Sequence, residues 1–208
     1  KIEWQGSIRA TYNKYFHPDI LEMKDTRMFD MLYNGDAIDA FQFDTPVGQQ
    51  TVRKLGAQSF DELVAANSLM RLSGDGEQPL DKFIRFKNNI DLWYTEMIEE
   101  GLTQDEILIM ESHIKATYGV TDSQEALMLL TMDPRISDYN LSDANKFRKA
   151  VAKQDQKKLK EQHEVFIKAG LATGSRREFL NYIWEFQFKP SFGYAFSRPH
   201  VAGYTLIL

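Results

Sequence analysis

Helix-start signals recur along this chain and constrain its fold more than any other feature. "SFDE" (Ser59 to Glu62), "TQDE" (Thr103 to Glu106) and "SRRE" (Ser175 to Glu178) each have the form of a capping box. In that motif the Ser or Thr oxygen accepts from the third helical amide, and the Glu side chain reaches back to the cap amide. Thr45-Pro46 adds a cap followed by Pro at the first helical position, where its missing N–H costs nothing. Asp25 or Thr26 starts "RMFDMLYNG", with Met28, Met31 and Leu32 on one face and Gly35 as the stop. Runs of alternating β-branched residues are absent, so few or no short strands are expected. Helices are predicted over 26–34, 46–54, 59–72, 79–88, 90–100, 103–117, 122–132, 141–153, 155–170, 175–188 and 199–208. The pieces at 37–43 and 191–196 read as short extended or turn segments. The expected fold class is therefore mostly α, an irregular multi-helix arrangement. The polar, Gly-rich "LSGDGEQP" (72–79) is either a boundary between two helical lobes or a surface loop inside one domain.

Composition agrees with a real core. Of 208 residues 43% are hydrophobic and 26% charged, and 14 Phe, 9 Tyr and 3 Trp supply bulky core material. No apolar run approaches the roughly 20 residues that span a bilayer, so no membrane partner is expected. The first residues lack the layout of a secretory signal. The absence of Cys excludes disulfides, thiolate nucleophiles and Cys-based zinc sites, and fits a cytoplasmic protein. The four His lack metal-ligand spacing. There is no Asp-x-Asp pair, Walker-type loop, His-Glu-x-x-His or Gly-x-Ser-x-Gly, so a complete active site is not evident. The chain starts at Lys1 and stops at the apolar "GYTLIL" without a helix stop, which predicts a piece of a longer protein.

Two stretches could carry chemistry. Lys146, Arg148, Lys149, Lys153, Lys157, Lys158 and Lys160 crowd fifteen residues against Asp155 alone, in a chain of net charge −5. On one helix Lys149, Lys153, Lys157 and Lys160 would form a stripe, with Phe147, Ala150 and Val151 anchoring another face. Gln154 and Asp155 suggest a turn between two shorter helices instead. The cluster is either a solvated face or a site for an anion such as a triphosphate or nucleic-acid backbone. In "FGYAFSRPHVAGYTL" (192–206), Ser197 is a candidate N-cap, with Pro199 in the first turn and Arg198 and His200 beside it. This is either an anion site at a helix N-terminus or a packed aromatic turn before an ordinary helix.

The order of segments resembles the bacterial family C replicative DNA polymerases, the DNA polymerase III alpha subunits. Phe41-Gln42-Phe43-Asp44 resembles the family's aromatic-Gln-aromatic-acid element, and Phe60 to Leu63 its Phe-acid-acid-Leu helix. Met70-Arg71-Leu72-Ser73-Gly74 stands where the family has Tyr-Arg-Pro-Gly, and "DKFIRFKNN" resembles its next basic helix start. "ATYGVTDSQEALM" keeps Thr117, Tyr118, Gly119, Gln124, Glu125 and Met128. Tyr139, Leu141, Ala144, Arg148, Lys149, Ala150 and Lys153 match a Tyr-x-Leu-x-x-Ala-Asp-x-x-Arg-Arg-Ala-Met-Gly-Lys-Lys segment in kind. Gly193, Tyr194, Phe196, Arg198, His200 and Tyr204 match Gly-Tyr-Gly-Phe-Asn-Lys-Ser-His…Tyr. The likeness covers about 28–208, and 1–27 read as a linker or the end of a preceding palm region. Departures at Leu72-Ser73-Gly74-Asp75, Ala152, Gln154 and Ser197-Arg198-Pro199-His200, with an expanded 90–112, suggest a divergent member, encoded by a phage or mobile element.

The resemblance implies a fingers domain that covers the incoming deoxynucleoside triphosphate. It implies nucleotide contacts at Arg148, Lys149, Lys153, Arg198 and His200, and primer-template DNA contacts at Arg71, Arg85, Lys87 and Lys157. The catalytic aspartates and their two magnesium ions belong to the palm, so this chain alone is expected to be an inactive part of a DNA-directed DNA polymerase. The palm and other domains of the same polypeptide are its expected partners. The alternative is a non-catalytic polymerase-like module that binds DNA or a replisome partner, or a plain helical domain with a fortuitous Lys stripe.

Overall fold

Caps of the expected kind set many of the helix starts. The computed structural model describes residues 26–37, 40–70, 72, 76–153, 156–192 and 196–205, with the backbone alone at 153 and 156. Its helices are α1 (Thr26–Asn34), α2 (Pro46–Leu55), α3 (Phe60–Leu69), α4 (Pro79–Asn88), α5 (Asp91–Glu99), α6 (Gln104–Ile114), α7 (Gln124–Met132), α8 (Leu141–Lys153), α9 (Gln156–Thr173), α10 (Arg177–Tyr182) and α11 (Arg198–Thr205). Among the described residues there is no strand. The fold is mostly α, as the caps and periodicity predict. Thr103 and Glu106 form the full capping box. The Thr45 hydroxyl accepts from the Gly48 amide ahead of Pro46. Gly35, at φ 93°, ends α1.

Two of the three expected boxes differ in detail. Ser59 caps α3, but the Glu62 carboxylate reaches one residue further back, to the Gln58 amide at 2.7 Å. Ser175 caps nothing: Arg176 is the N-cap of α10, and the Ser175 hydroxyl donates to the Arg135 and Ile136 carbonyls. Those carbonyls belong to the α7–α8 turn, and bonding them ties that turn to the end of α9. Helix α8 is described to Lys153 and α9 from Gln156, and the turn expected at Gln154 and Asp155 lies outside the described residues.

One cluster of buried apolar side chains runs from Phe29 to Phe188 and includes residues on both sides of positions 73–79. Its densest part is aromatic: Phe147 of α8, Phe166 of α9, Trp184 and Phe188 meet at ring-centroid distances of 4.8–6.5 Å. Phe147, Ala150 and Val151 are all buried, so they anchor α8. The segment Ile183–Phe188 after α10 is a π-type turn, wider than an α-helical one. It carries Gln187 into the interior, where the amide holds Thr121 and the Gly119 carbonyl. The loop that leads into α7 is therefore fixed from behind.

Gly119 in that loop has no substitute. Its φ is +74°, and an added Cβ would lie 2.5 Å from the Trp93 ring. Trp93 is fully buried, and its indole N–H donates to the Tyr182 hydroxyl at 3.2 Å, so the ring has nowhere to go. Gly119→Ala combines left-handed backbone strain with overpacking and is expected to cost about 2–4 kcal/mol of stability in a denaturant titration. A variant within 0.5 kcal/mol of wild type, roughly the size of a neutral surface change, would contradict this packing.

Candidate functional site

The first turn of α7 joins the two stretches that the sequence singled out. Ser123 caps α7 by accepting from the Ala126 amide. Three of the residues around that cap reach elsewhere. The Gln124 amide donates to the Phe196 carbonyl at 2.8 Å, and its side-chain Oε1 accepts from Arg148 Nη1 on α8. Glu125 accepts from the Ser197 hydroxyl and the Arg198 amide, each at 2.8 Å. Asp122 accepts from Arg198 Nη1 at 2.7 Å. Arg148 and Arg198, 50 positions apart by their residue numbers, are thus held by neighbouring residues of one turn.

The two arginines differ in what holds them. Arg148 Nε and Nη2 donate to Asn145 Oδ1 at 3.1 and 2.9 Å, one helical turn back, so all its partners are neutral amides. Arg198 is ion-paired: Nη1 with Asp122, and Nη2 with Asp61 of α3 at 3.0 Å. Asp122 is 2% exposed, and its Oδ1 has no partner among the described residues. Burial pushes its carboxyl above the usual carboxylate range, and the adjacent Arg198 charge pulls it back. The N-terminus of α11, read from sequence as a candidate anion site, is already occupied by the Glu125 carboxylate.

The turn between α7 and α8 sets the direction of α8. Asp133 accepts from the Arg135 guanidinium and from His113 at 2.7 Å, and its carbonyl takes the amides of Ile136, Ser137 and Asp138. The Arg135 guanidinium holds the Asp133 carboxyl well below the usual range, against the opposing effect of burial. With α7 packed along α8, this turn makes the Gln124–Arg148 contact a consequence of rigid elements.

The other expected site residues are placed as follows. Lys149 is exposed on α8 and has no hydrogen bond or ion pair among the described residues. The side chain of Lys153 lies outside the described residues, as does Arg71. His200 is exposed on α11, edge-on to Tyr204 and Phe41, while Phe41 stacks on Tyr204 at 4.0 Å. Arg85 is forked onto Glu77 with two bonds of 2.8 Å. Lys87 donates to the Leu55 and Gly56 carbonyls and to Glu62, and its side chain is 14% exposed. Lys157 is exposed near the start of α9. Sequence reasoning assigned no role to Asn145, Asp122, Asp61 or Gln187. Only Asn145 carried a local signal, three residues before Arg148 on one helix. Among the described residues no group of three His, Cys, Asp or Glu could hold a metal ion, and no helix is long and apolar enough to cross a membrane.

A family model described as the bacterial DNA polymerase III alpha subunit finger domain matches residues 3–174. The chain is 46% identical over all 208 residues to a DNA-directed DNA polymerase of Bacillus phage SPbeta and to a probable DNA polymerase YorL of Bacillus subtilis (strain 168). It is 26% identical over 200 residues, 96% of its length, to the DNA polymerase III subunit alpha of Campylobacter jejuni. It spans 16% of the length of each of these three relatives.

Proposed function

The chain belongs to the bacterial DNA polymerase III alpha subunit finger domain family, and from that premise we propose that it covers the incoming deoxynucleoside triphosphate in a DNA-directed DNA polymerase. Arg148 and Lys149 of α8, with Lys153 at its end, face the triphosphate. His200, exposed on α11, completes the set, and Arg198 serves first to hold that helix in place. The observation that carries this reading is the α7 turn, which draws the basic helix and the Arg198–His200 helix to one place through Gln124 and Glu125. Lys157, Arg71 and Arg85 are the DNA backbone contacts, Arg85 through donors beyond the two that Glu77 holds; Lys87 reaches a phosphate only by giving up a partner it already holds.

The site works by positioning and charge. A fixed guanidinium and exposed ammonium groups offset phosphate charge and align the triphosphate for attack, in a step that needs no covalent chemistry from the fingers. The palm of the same polypeptide would hold the magnesium ions and supply the two-metal chemistry of phosphoryl transfer. This chain by itself would then not extend a primer.

Primer extension by the full-length polymerase, titrating one deoxynucleotide with magnesium present, tests the reading. Wild type is expected to extend the primer, and Lys149→Ala/Lys153→Ala to need roughly tenfold more nucleotide. A double variant that matches wild type removes these lysines from the site. A full-length wild type that binds DNA with a salt-dependent affinity yet never extends a primer favours a binding module instead.

A further inference from the structure

We propose that Gln187 is a positioning residue for the nucleotide site, acting through the 119–123 loop that it holds. The inference rests on the reading of the α7 turn as the place where that site is gathered, and goes beyond it by naming what fixes the turn.

The loop needs support from outside itself. Tyr118 and Gly119 both have left-handed backbone, at φ 47° and 74°, so the chain turns there without forming a regular element. Val120 donates to the Thr117 carbonyl, and after it no amide among the described residues donates to a backbone carbonyl until Gln124. Gly119 and Thr121 are buried, so their polar groups need partners within the protein. Gln187 supplies them. Its Oε1 accepts from the Thr121 amide at 3.2 Å and the Thr121 hydroxyl at 2.9 Å, and its Nε2 donates to the Gly119 carbonyl at 3.1 Å. These bonds grip the loop on both sides of Val120. The residues that follow are Asp122, Ser123, Gln124 and Glu125, which hold Arg198, cap α7, and reach Arg148 and the start of α11.

The place of Gln187 in the fold gives this grip its consequence. Gln187 is 1% exposed and lies in the Ile183–Phe188 turn. Trp184 and Phe188 of the same turn pack on Phe147 of α8, with ring centroids 6.0 and 4.8 Å away. Helix α11 is the next α-helix along the chain. One turn therefore seats α8 by aromatic packing and the start of α7 by hydrogen bonds. The two supports differ in kind. Packing sets how close two elements lie, whereas hydrogen bonds also fix direction. A loop released by Gln187 keeps its apolar neighbours and loses its direction, and the geometry of the site carries the loss.

Gln187→Leu in the full-length polymerase tests this, since Leu fills the space and makes none of the bonds. Measured well below the thermal midpoint, the nucleotide KM is expected to rise about tenfold, with the KM for primer-template within about twofold. The midpoint should fall as well, because buried groups of Gly119 and Thr121 lose their partners. Leu32→Ala separates the two effects. Leu32 is buried on α1, which packs on α2, so its truncation lowers the midpoint and should leave the nucleotide KM at the wild-type value. Thr121→Val removes one bond from the loop side, which covers the case in which Gln187→Leu does not fold. It should raise the nucleotide KM by roughly threefold, and add little in the Gln187→Leu background. If Arg148→Ala raises the nucleotide KM while Gln187→Leu and Thr121→Val do not, the inference is overturned and the reading of the site stands. If Leu32→Ala raises it as much as Gln187→Leu at an equal loss of midpoint, the effect is general instability and the inference is overturned. If Arg148→Ala itself leaves the nucleotide KM unchanged, the reading of the site fails and the inference fails with it.

Discussion

Arg148→Ala in the full-length polymerase is expected to lower kcat/KM for the incoming nucleotide by roughly 100-fold, almost all of it through KM. Two N–H groups of Arg148 remain for a ligand after the Gln124 and Asn145 bonds are counted. Bonds to charged groups contribute about 1.5–3 kcal/mol each, and about 1.4 kcal/mol corresponds to a tenfold change. Losing two such bonds, less what water restores, gives roughly 3 kcal/mol, or about two decades. The fold should bear the change well. Arg148 is half-buried, and the amides it leaves can rehydrate, so the stability cost is about 1 kcal/mol. Arg148→Lys keeps the charge but loses the fork, and should recover only part of the affinity. A nucleotide titration at several salt concentrations checks the origin of the loss, since a phosphate contact weakens as salt rises. Wild-type KM in Arg148→Ala would end the assignment of α8 to the triphosphate.

How much of this was legible in the sequence follows from the range of each interaction. Caps and stops act within a turn, so Thr45, Ser59, Thr103 and Gly35 could be read directly and proved to delimit helices. Ser175 had the same local pattern and misled, because its hydroxyl is drawn away by carbonyls 39 and 40 residues earlier in the chain. The site was legible only as an inventory of cations. A cation cluster does not say which charges are spent. Arg198 meets carboxylates 76 and 137 residues away, Lys87 meets one 25 residues away, and Arg148 meets an amide 24 residues away. Only the packing of α7 on α8, of α11 on α3 and of α4 on α3 makes these pairs neighbours. Gln187 illustrates the same limit: no local rule announces a π-type turn that points a glutamine inward.

Glu62 is where that distinction has its largest effect on the fold, and Glu62→Ala is expected to cost about 3–5 kcal/mol. The carboxylate is 7% exposed and has three partners: Lys87 Nζ at 2.9 Å, the Tyr118 hydroxyl at 2.9 Å and the Gln58 amide at 2.7 Å. Burial, with the carboxylate beside it, pushes the Tyr118 hydroxyl up to about 12, so at neutral pH it remains a donor. Lys87 in turn donates to the Leu55 and Gly56 carbonyls at the end of α2, where the helix dipole favours a cation. Removing the carboxylate leaves an ammonium with little solvent contact and no counter-charge, which is the costly half of a buried pair. Glu62→Gln should cost less, because it keeps one acceptor for Tyr118 or Gln58. Lys87→Met should fall between them and should couple to Glu62→Gln by 1 kcal/mol or more in a double-mutant cycle, about the size seen for residues in contact. The same variant also resolves the DNA expectation for Lys87. A cation that anchors α2 to α3 changes the denaturation midpoint and leaves the salt dependence of DNA binding as it was. A phosphate contact would lower the slope of log affinity against log salt by about 0.9 and barely move the midpoint. The three bonds inside the fold predict the first result, and a changed slope at unchanged stability would return Lys87 to the DNA.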